Sequence, residues 1–532
     1  MQSTLKNKLF LSILGGLLLW AAWPTSPFTL LIFVAWIPLL QVTDHTNNWK
    51  KYLGFLFLHM LVWNLLTTWW LANASVAGGI SAFVINSVLM SIPWMFYYFS
   101  RKYLKGFIGK FSIIAYWMAF EFLHQNWDLS WPWLTLGNGF ATHPNWVQWY
   151  EFTGTSGGSL WVLLSNLLVF HILKLYSEEG RSVRYLRNAI VWVLLLMLPM
   201  LYSFTIKSNL TLRHNKFDVV VVQPNVDPWN VKWEAGKEEA QVQSLVALSQ
   251  QKIDDKTALV VWPETAVPVA LDEASPKTNF FFNPVWELLK RNPKVNLFSG
   301  IESFRMFDSR VSRYAIKLRN GSGFYEGYNS AALFDSSEVQ IYHKSRLVPG
   351  AEVLPWFVSF MAPAFEKFGG TAGGYARDTA PKLLITTNHS FDIAPAVCYE
   401  SVFGDYLSAF NRKGSSLICI VTNDGWWGNT QGYQQHMNYA RLRAIESRKW
   451  VARSANTGIS CFINPYGKVV QQLPWDTQGA IKQTIAAFVT ETFFSKYGDL
   501  LSRIFSVFAI ILFIIAIVNK IRDRRLVVKQ GR

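Results

Sequence analysis

Ala394-Pro395-Ala396-Val397-Cys398-Tyr399-Glu400-Ser401 is an apolar run that stops at a thiol and continues in polar residues. A short run of this kind reads as a buried strand, so we expect a strand over Ala394–Cys398 with the cysteine at its end. Two other segments share the design. In Val260-Val261-Trp262-Pro263-Glu264-Thr265 an apolar strand runs into a proline and then presents a carboxylate. In Ile341-Tyr342-His343-Lys344-Ser345-Arg346-Leu347-Val348-Pro349 a short run leads to an ammonium group. Taken singly, each is ordinary: a strand-end Glu is most often a solvated cap, a Lys beside Arg346 is surface, and a Cys fills core.

Around these segments, from about Thr205 to Phe494, short β-branched runs alternate with helical stretches, the pattern of an α/β or layered α+β domain. Strands are expected at Phe217–Val222, Ala258–Trp262, Leu383–Thr387, Leu417–Thr422 and Ser460–Asn464 as well, and helices at Glu238–Gln251 and Gln434–Arg448. Hairpin turns fit Asp335-Ser336-Ser337 and Pro465-Tyr466-Gly467-Lys468.

The rest of the chain is different in kind. Hydrophobic residues make up 51% of the 532 and charged ones only 16%, against about 25% charged in an average soluble protein, so part of the surface should face lipid. Crossing a ~30 Å hydrocarbon core takes roughly 20 apolar residues. Segments that approach or meet this lie at Leu9–Trp23, Phe28–Leu40, Leu53–Ala72, Gly79–Phe99, Phe107–Leu123, Ser159–Leu173, Ala189–Phe204 and Ile504–Val518. The first two, joined by Pro24-Thr25-Ser26-Pro27, read as a helical hairpin, and Trp20-Ala21-Ala22-Trp23 is a poor cleavage site, so the first segment should be retained. Lys and Arg favour cytoplasmic loops. Here they occupy alternate connections, while Pro24–Pro27, Asn73–Ala77 and Gln125–Gly158 contain none. Eight spans with both termini inside and the large α/β segment outside follow. The net charge of +16 therefore sits largely in topogenic loops and tail, which argues against nucleic acid. His59, Glu121 and His171 in or near the spans read as structural.

Read together, the order Trp-Pro-Glu, then His-Lys with Leu-Val-Pro, then Val-Cys-Tyr-Glu resembles the nitrilase superfamily. That resemblance implies an αββα sandwich with a Glu-Lys-Cys triad: Glu264, Lys344 and Cys398. With the spans included, the whole chain is similar to the bacterial apolipoprotein N-acyltransferases. This implies a membrane α-helical domain at 1–205, a periplasmic catalytic domain at 206–495, and an eighth helix with a basic cytoplasmic tail at 496–532. The same resemblance marks Trp233, Glu352, Tyr399 and Glu400 as supporting residues. The chain departs from it after Pro349, where Gly350 stands in place of an expected aromatic residue. A phospholipid acyl donor, a diacylglyceryl-modified apolipoprotein acceptor, a bacterial inner-membrane location, a monomer and no cofactor or metal are likewise what it implies.

The residues alone support acyl transfer through sulfur. A free thiol with a pKa near 8.5 is only a few per cent thiolate at neutral pH yet strongly nucleophilic, so Glu264 as base and Lys344 as oxyanion partner suit Cys398. Cys419 and Cys461 lie inside apolar strands and read as core. Lipid substrates need a mouth that meets the bilayer. The apolar stretch from Leu354 through Trp356 to Met361, and Trp426 and Trp427 between Gly425 and Gly428, suit such contact, as do Trp127, Trp131, Trp133, Trp146 and Trp149. Two other readings are a membrane-tethered amidase using water as acceptor and a transporter with an outer receptor domain. The second would want charges deep in several spans, and few are present.

Overall fold

Val219–Val222 and Leu417–Val421 are apolar on both faces, which suits strands covered on both sides, and such strands are characteristically parallel. In a computed structural model of the chain, described for residues 5–206, 210–212, 216–319, 321–356, 374–387 and 391–530, both become central strands of separate sheets. The first sheet contains β1 (Phe217–Gln223), β2 (Thr257–Asp272), β3 (Asn296–Phe307), β4 (Ile316–Lys317), β5 (Phe324–Phe334), β6 (Val339–His343) and, at the far edge, β13 (Gly479–Ile485). Its order is β13-β1-β2-β3-β5-β4, with β6 also paired to β5; β1, β2 and β3 are mutually parallel and the rest antiparallel. The second sheet runs β12-β11-β10-β9-β8-β7, from β7 (Leu384–Ile385), β8 (Asp392–Val397), β9 (Leu417–Thr422), β10 (Trp450–Ala455), β11 (Ser460–Ile463) and β12 (Val469–Leu473). Again the centre, β8-β9-β10, is parallel.

The sheets face each other through β1, β2, β9 and β10. Helices Glu238–Gln250 and Asn283–Arg291 cover the first sheet: Val242, Leu245, Val285 and Leu289 pack with Val220, Val222, Val260 and Trp262. The buried indole of Trp262 donates to Ser249 Oγ at 2.9 Å. Helices Gly404–Arg412 and Gln431–Ser447 lie against the second sheet, on β8 and on β10 and β11. The result is the expected α-β-β-α layering, formed within a compact unit of residues 70–78 and 207–498. Residues 70–78, although flanked in sequence by apolar helices, pack here: Trp70 lies 4.6 Å from the ring of Trp427, and Asn73 Nδ2 donates to the Trp427 carbonyl at 2.8 Å.

The other unit, residues 1–69, 79–206 and 499–532, is helical. Val76–Ser100, Gly106–His124, Thr155–Glu179, Val183–Thr205 and Leu500–Leu526 are long and apolar enough to cross a membrane. Helix Val183–Thr205 buries only Ser203 and leaves Ile190, Leu194, Leu198 and Leu201 exposed, a surface that water would not tolerate on a monomer. Leu5–Ala21 and Trp49–Thr68 are shorter or more polar. The segment Phe28–Leu40 is not one helix. A 3-10 turn, Thr29–Phe33, is followed by a separate helix, Ile37–Asp44. The backbone groups freed by the break are met by Asn166, whose Oδ1 accepts from Trp36 N–H at 2.8 Å while Nδ2 donates to Ile32 O at 2.9 Å. Buried Glu121 accepts from Trp117 Nε1 and Leu136 N–H, both at 2.9 Å, a structural use of its carboxylate. Of the indoles at 127–149, Trp133 is buried and stacks on Trp131 at 5.5 Å, and the stretch folds into 3-10 turns.

Two strands differ from the sequence reading in a way that matters for the site. β2 does not end at Pro263 but continues to Asp272, and β8 ends at Val397, one residue before the cysteine. In β2 the continuation needs Gly300 on β3, where a Cβ would come 2.4 Å from Glu264 Cα and 2.8 Å from Pro263 O. Gly300→Ala should therefore cost about 1–3 kcal/mol as overpacking, seen as a lowered thermal midpoint of the detergent-solubilised protein. Gly479→Ala, whose Cβ meets nothing nearer than Leu473 at 3.5 Å, should leave the midpoint nearly unchanged.

Candidate active site

Glu264 owes its position to an irregularity. Between Trp262 and Val267 the register of β2 on β3 shifts, from Trp262 opposite Ser299 to Val267 opposite Ile301, so β2 carries extra residues. Such bulges re-aim side chains. Here the next residue, Thr265, takes a left-handed φ of 45°. The bulge is held by Lys232, a buried residue whose Nζ donates to Glu264 O at 3.1 Å and to Thr265 Oγ1 at 2.5 Å. Burial pulls this lysine down to about 8, against the pull of Glu264 and Glu302.

Lys344 follows β6 and is fully buried. Its N–H donates to Asn329 O at 2.9 Å, and its Nζ lies 2.7 Å from Glu352 Oε1 and 3.7 Å from Glu264 Oε1. Burial works against the ammonium, but Glu352 and Glu264 more than offset it and hold the lysine charged, well above its ordinary range. Asn329, on β5, divides its amide between the two carboxylates: Nδ2 is 2.9 Å from Glu264 Oε1 and 2.8 Å from Glu352 Oε1. The second oxygen of Glu264 accepts from Asn423 N–H, just past β9, at 3.0 Å. Glu352 Oε2 accepts from Val348 N–H at 2.8 Å, closing the loop that carries it. Gly350 in that loop has φ 85° and donates to Val353 O at 2.8 Å. The turn thus requires a glycine where the sequence departs from its expected aromatic.

Cys398 begins a 3-10 turn, Cys398–Val402, at the end of β8, with φ 51°. Burial pushes its thiol well above the usual range, the charges of Glu264 and Asp424 add to the rise, and Lys344 and a hydrogen bond with Thr422 oppose it. The resting group is therefore a protonated thiol. Glu264 is the carboxylate that weighs most on it, and Lys344 the cation. Beneath the turn, fully buried Glu400 ties the cysteine and lysine segments together. Oε1 accepts from Tyr342 Oη at 2.7 Å, Ser345 N–H at 2.7 Å and Arg346 N–H at 3.1 Å, and Oε2 from Val397 N–H at 2.9 Å. Burial raises its carboxyl despite these donors. Tyr399 is buried edge-on against Phe403 at 5.0 Å.

The structure thus brings Glu264, Lys344 and Glu352 together directly and through Asn329, with Glu400 bonded to the backbone beside Lys344 and Cys398, and Cys398 under the charges of Glu264 and Lys344. The indoles lie further out. Trp233 is half exposed, with Lys232 Nζ 5.7 Å from its ring centroid, and Trp356 is exposed; Phe357–Met361 fall outside the described residues. Trp426 meets Trp229 at 4.8 Å, and Trp427 meets both Trp70 and, at 5.6 Å, His436. The segment bearing them is a 3-10 turn, Asp424–Trp427. Sequence reading passed over Lys232, Asn329, Asn423, Asp424, His436 and Arg453. Arg453, a charge within the apolar strand Trp450–Ala455, and Asn423-Asp424, polar at the end of one, were signals that could have found the last group. Among the described residues no group of His, Cys, Asp and Glu is placed to hold a metal.

Comparison with known proteins joins this site to the helical region. Residues 219–492 match the carbon-nitrogen hydrolase family, and residues 15–168 match the apolipoprotein N-acyltransferase N-terminal domain. Apolipoprotein N-acyltransferase of Chlorobaculum tepidum is 31% identical, covering 97% of this chain and 98% of its own. Apolipoprotein N-acyltransferase 1 of Treponema denticola is 26% identical over 97% of each chain, and the Geobacter metallireducens protein of the same name is 24% identical over 92% of this chain and 91% of its own. With a nitrilase-type α/β unit and apolar helices in one polypeptide, matched from end to end by such relatives, this chain belongs to the apolipoprotein N-acyltransferase family.

Proposed function

We propose that the chain moves a fatty-acyl group from a membrane phospholipid, through a thioester on Cys398, to the α-amine of a diacylglyceryl-cysteine at the N-terminus of an apolipoprotein, the last step of lipoprotein maturation. The observation that carries the mechanism is the buried Lys344, shared between Glu264 on the β2 bulge and Glu352 on the turn after β6, with Cys398 at the end of β8 under the charges of Glu264 and Lys344. In the first half-reaction Glu264 takes the Sγ proton as sulfur adds to the ester carbonyl, and Lys344 stabilises the oxyanion. The tetrahedral adduct collapses, the glycerol oxygen leaves with the proton from Glu264, and lysophospholipid departs. In the second, the amine adds to the thioester, Glu264 accepts an amine proton, and the cysteine sulfur leaves and is reprotonated. An amide is more stable than a thioester, so the second step runs downhill. Losing one oxyanion donor typically costs about 3 kcal/mol, which sets the scale for Lys344.

Glu352 and Asn329 keep Lys344 and Glu264 in register, and Glu400 fixes the Lys344 loop to the cysteine turn. Trp233, Trp356, Trp426 and Trp427 form the apolar approach for acyl chains. Eight spans place both termini in the cytoplasm and residues 206–495 in the periplasm, and the chain acts as a monomer in the inner membrane without a cofactor. Support for this arrangement comes from the alternation of basic loops and from the five long apolar helices.

Purified protein given phospholipid with a labelled acyl chain should retain label that neutral hydroxylamine releases and that peptide mapping assigns to Cys398. Label elsewhere, or amide hydrolysis without phospholipid consumption, defeats the proposal and points to an amidase. Cys398→Ser should abolish turnover while Cys419→Ala keeps most of it. Glu264→Gln should do two opposite things: remove a like charge from beside the thiol, which lowers its pKa and speeds direct alkylation by iodoacetamide, while abolishing acylation from phospholipid. Slower alkylation by that variant would mean Glu264 does not act on the thiol as described. Glu400→Gln cannot satisfy four donors with one oxygen, and each orphaned N–H or O–H costs about 1–3 kcal/mol. Turnover should fall by roughly two decades, measured at saturating lipid.

A further inference from the structure

Behind the cysteine turn lies a group of charged and polar side chains that the acyl-transfer steps do not use. Asp424 Oδ1 is 2.9 Å from His436 Nδ1, and His436 Nε2 is 2.9 Å from Ser401 Oγ. The order Asp-His-Ser at hydrogen-bond spacing is that of a hydrolase triad, yet Ser401 is fully buried and its hydroxyl donates at 2.8 Å to the carbonyl of Cys398. It is not placed to attack anything. His436 Nε2 also lies 3.2 Å from that same carbonyl oxygen, which can only accept, so the ring nitrogen is the donor. Two donors thus converge on one backbone oxygen, that of the residue held at φ 51°.

A left-handed conformation normally calls for glycine, but the side chain here is the nucleophile, so the turn must be held from outside. Asp424 is anchored for the purpose. Arg453 Nη2 donates to its Oδ2 at 2.6 Å and Thr422 Oγ1 to its Oδ1 at 2.8 Å, Arg453 also donates to Ile459 O at 2.5 Å, and the edge of Trp427 packs on His436. We propose that Asp424, His436 and Ser401 are positioning residues that clamp the Cys398 carbonyl and hold its left-handed turn, so that sulfur meets the acyl carbonyl in line with Glu264 and Lys344. This deepens the acyl-transfer reading and rests on it.

The test uses the full-length protein in detergent with phospholipid carrying labelled acyl chains, and reads the rate of thioester formation on Cys398. Ser401→Ala and His436→Leu should lower the rate at saturating lipid roughly ten- to a hundredfold with KM unchanged. His436→Gln, whose amide nitrogen can stand near the Nε2 position, should recover part of the loss, at a thermal midpoint equal to that of His436→Leu. Wild-type rates in both Ser401→Ala and His436→Leu overturn the clamp. Equal losses in Leu and Gln variants with a lowered midpoint also overturn it, leaving only a packing role. If the unmodified protein forms no thioester, the acyl-transfer reading fails first and the clamp with it.

Discussion

The ammonium of Lys344 is the constraint around which this site is arranged. Taking a lysine wholly out of water costs several kcal/mol unless opposite charge and hydrogen bonds replace the solvent. The replacement comes from places far apart in sequence: Glu352 from a turn, Glu264 from a bulge in β2, and Asn329 from β5 as spacer between the two carboxylates. None of these could be moved independently. A carboxylate without the lysine would be buried uncompensated, and the lysine without both would favour its neutral form. Parallel strands at the centre of both sheets solve the geometric part: the bulge within β2 and the residues following β8 and β9 converge there.

Backbone strain follows from the same demand. Thr265 and Cys398 are both non-glycine residues at left-handed φ, a conformation that costs on the order of 1–3 kcal/mol and persists only where neighbours enforce it. Each has a buried enforcer: Lys232 grips the Glu264 carbonyl and the Thr265 hydroxyl, while Glu400 accepts from Val397 N–H immediately before the cysteine. These charged groups act on the backbone, and through it aim the side chains of Glu264 and Cys398.

This division explains what the sequence could tell. Glu264, Lys344 and Cys398 stand out because each terminates an apolar run, and an interruption of that kind is visible in one dimension. An alternation of strands and helices was legible from the patterning, since burial on both faces writes itself into composition, whereas the two-sheet layering came from the resemblance to the nitrilases. Asn329 and Lys232 were not legible, because an amide in Tyr-Asn-Ser or a lysine in Val-Lys-Trp looks like any surface residue until tertiary pairing gives it a partner 65 or 32 positions away. The break at Val34–Trp36 was hidden for the same reason: the local run is apolar, and Asn166 and Ser165, from another helix, take up backbone groups that leave the helical ladder. The continuation of β2 past Pro263 escaped notice because proline ordinarily ends a central strand, and a bulge removes that objection.

The thiol chemistry has a consequence for where such an enzyme can work. Burial raises all three cysteines, Cys461 to about 12 and Cys398 and Cys419 well above the ordinary range, and all are unpaired. Oxidation and alkylation proceed through thiolate, and the extracytoplasmic side of a bacterial membrane favours disulfides. A nucleophile activated in advance by a depressed pKa would be consumed there between turnovers. In the placement proposed for this chain, Cys398 rests as a protonated thiol beside the negative charge of Glu264, and becomes nucleophilic only as a carbonyl arrives to accept its electrons and Glu264 its proton. In the proposed mechanism the like charge that slows the resting thiol is also the base that activates it in the transition state, so one carboxylate would supply both protection and catalysis.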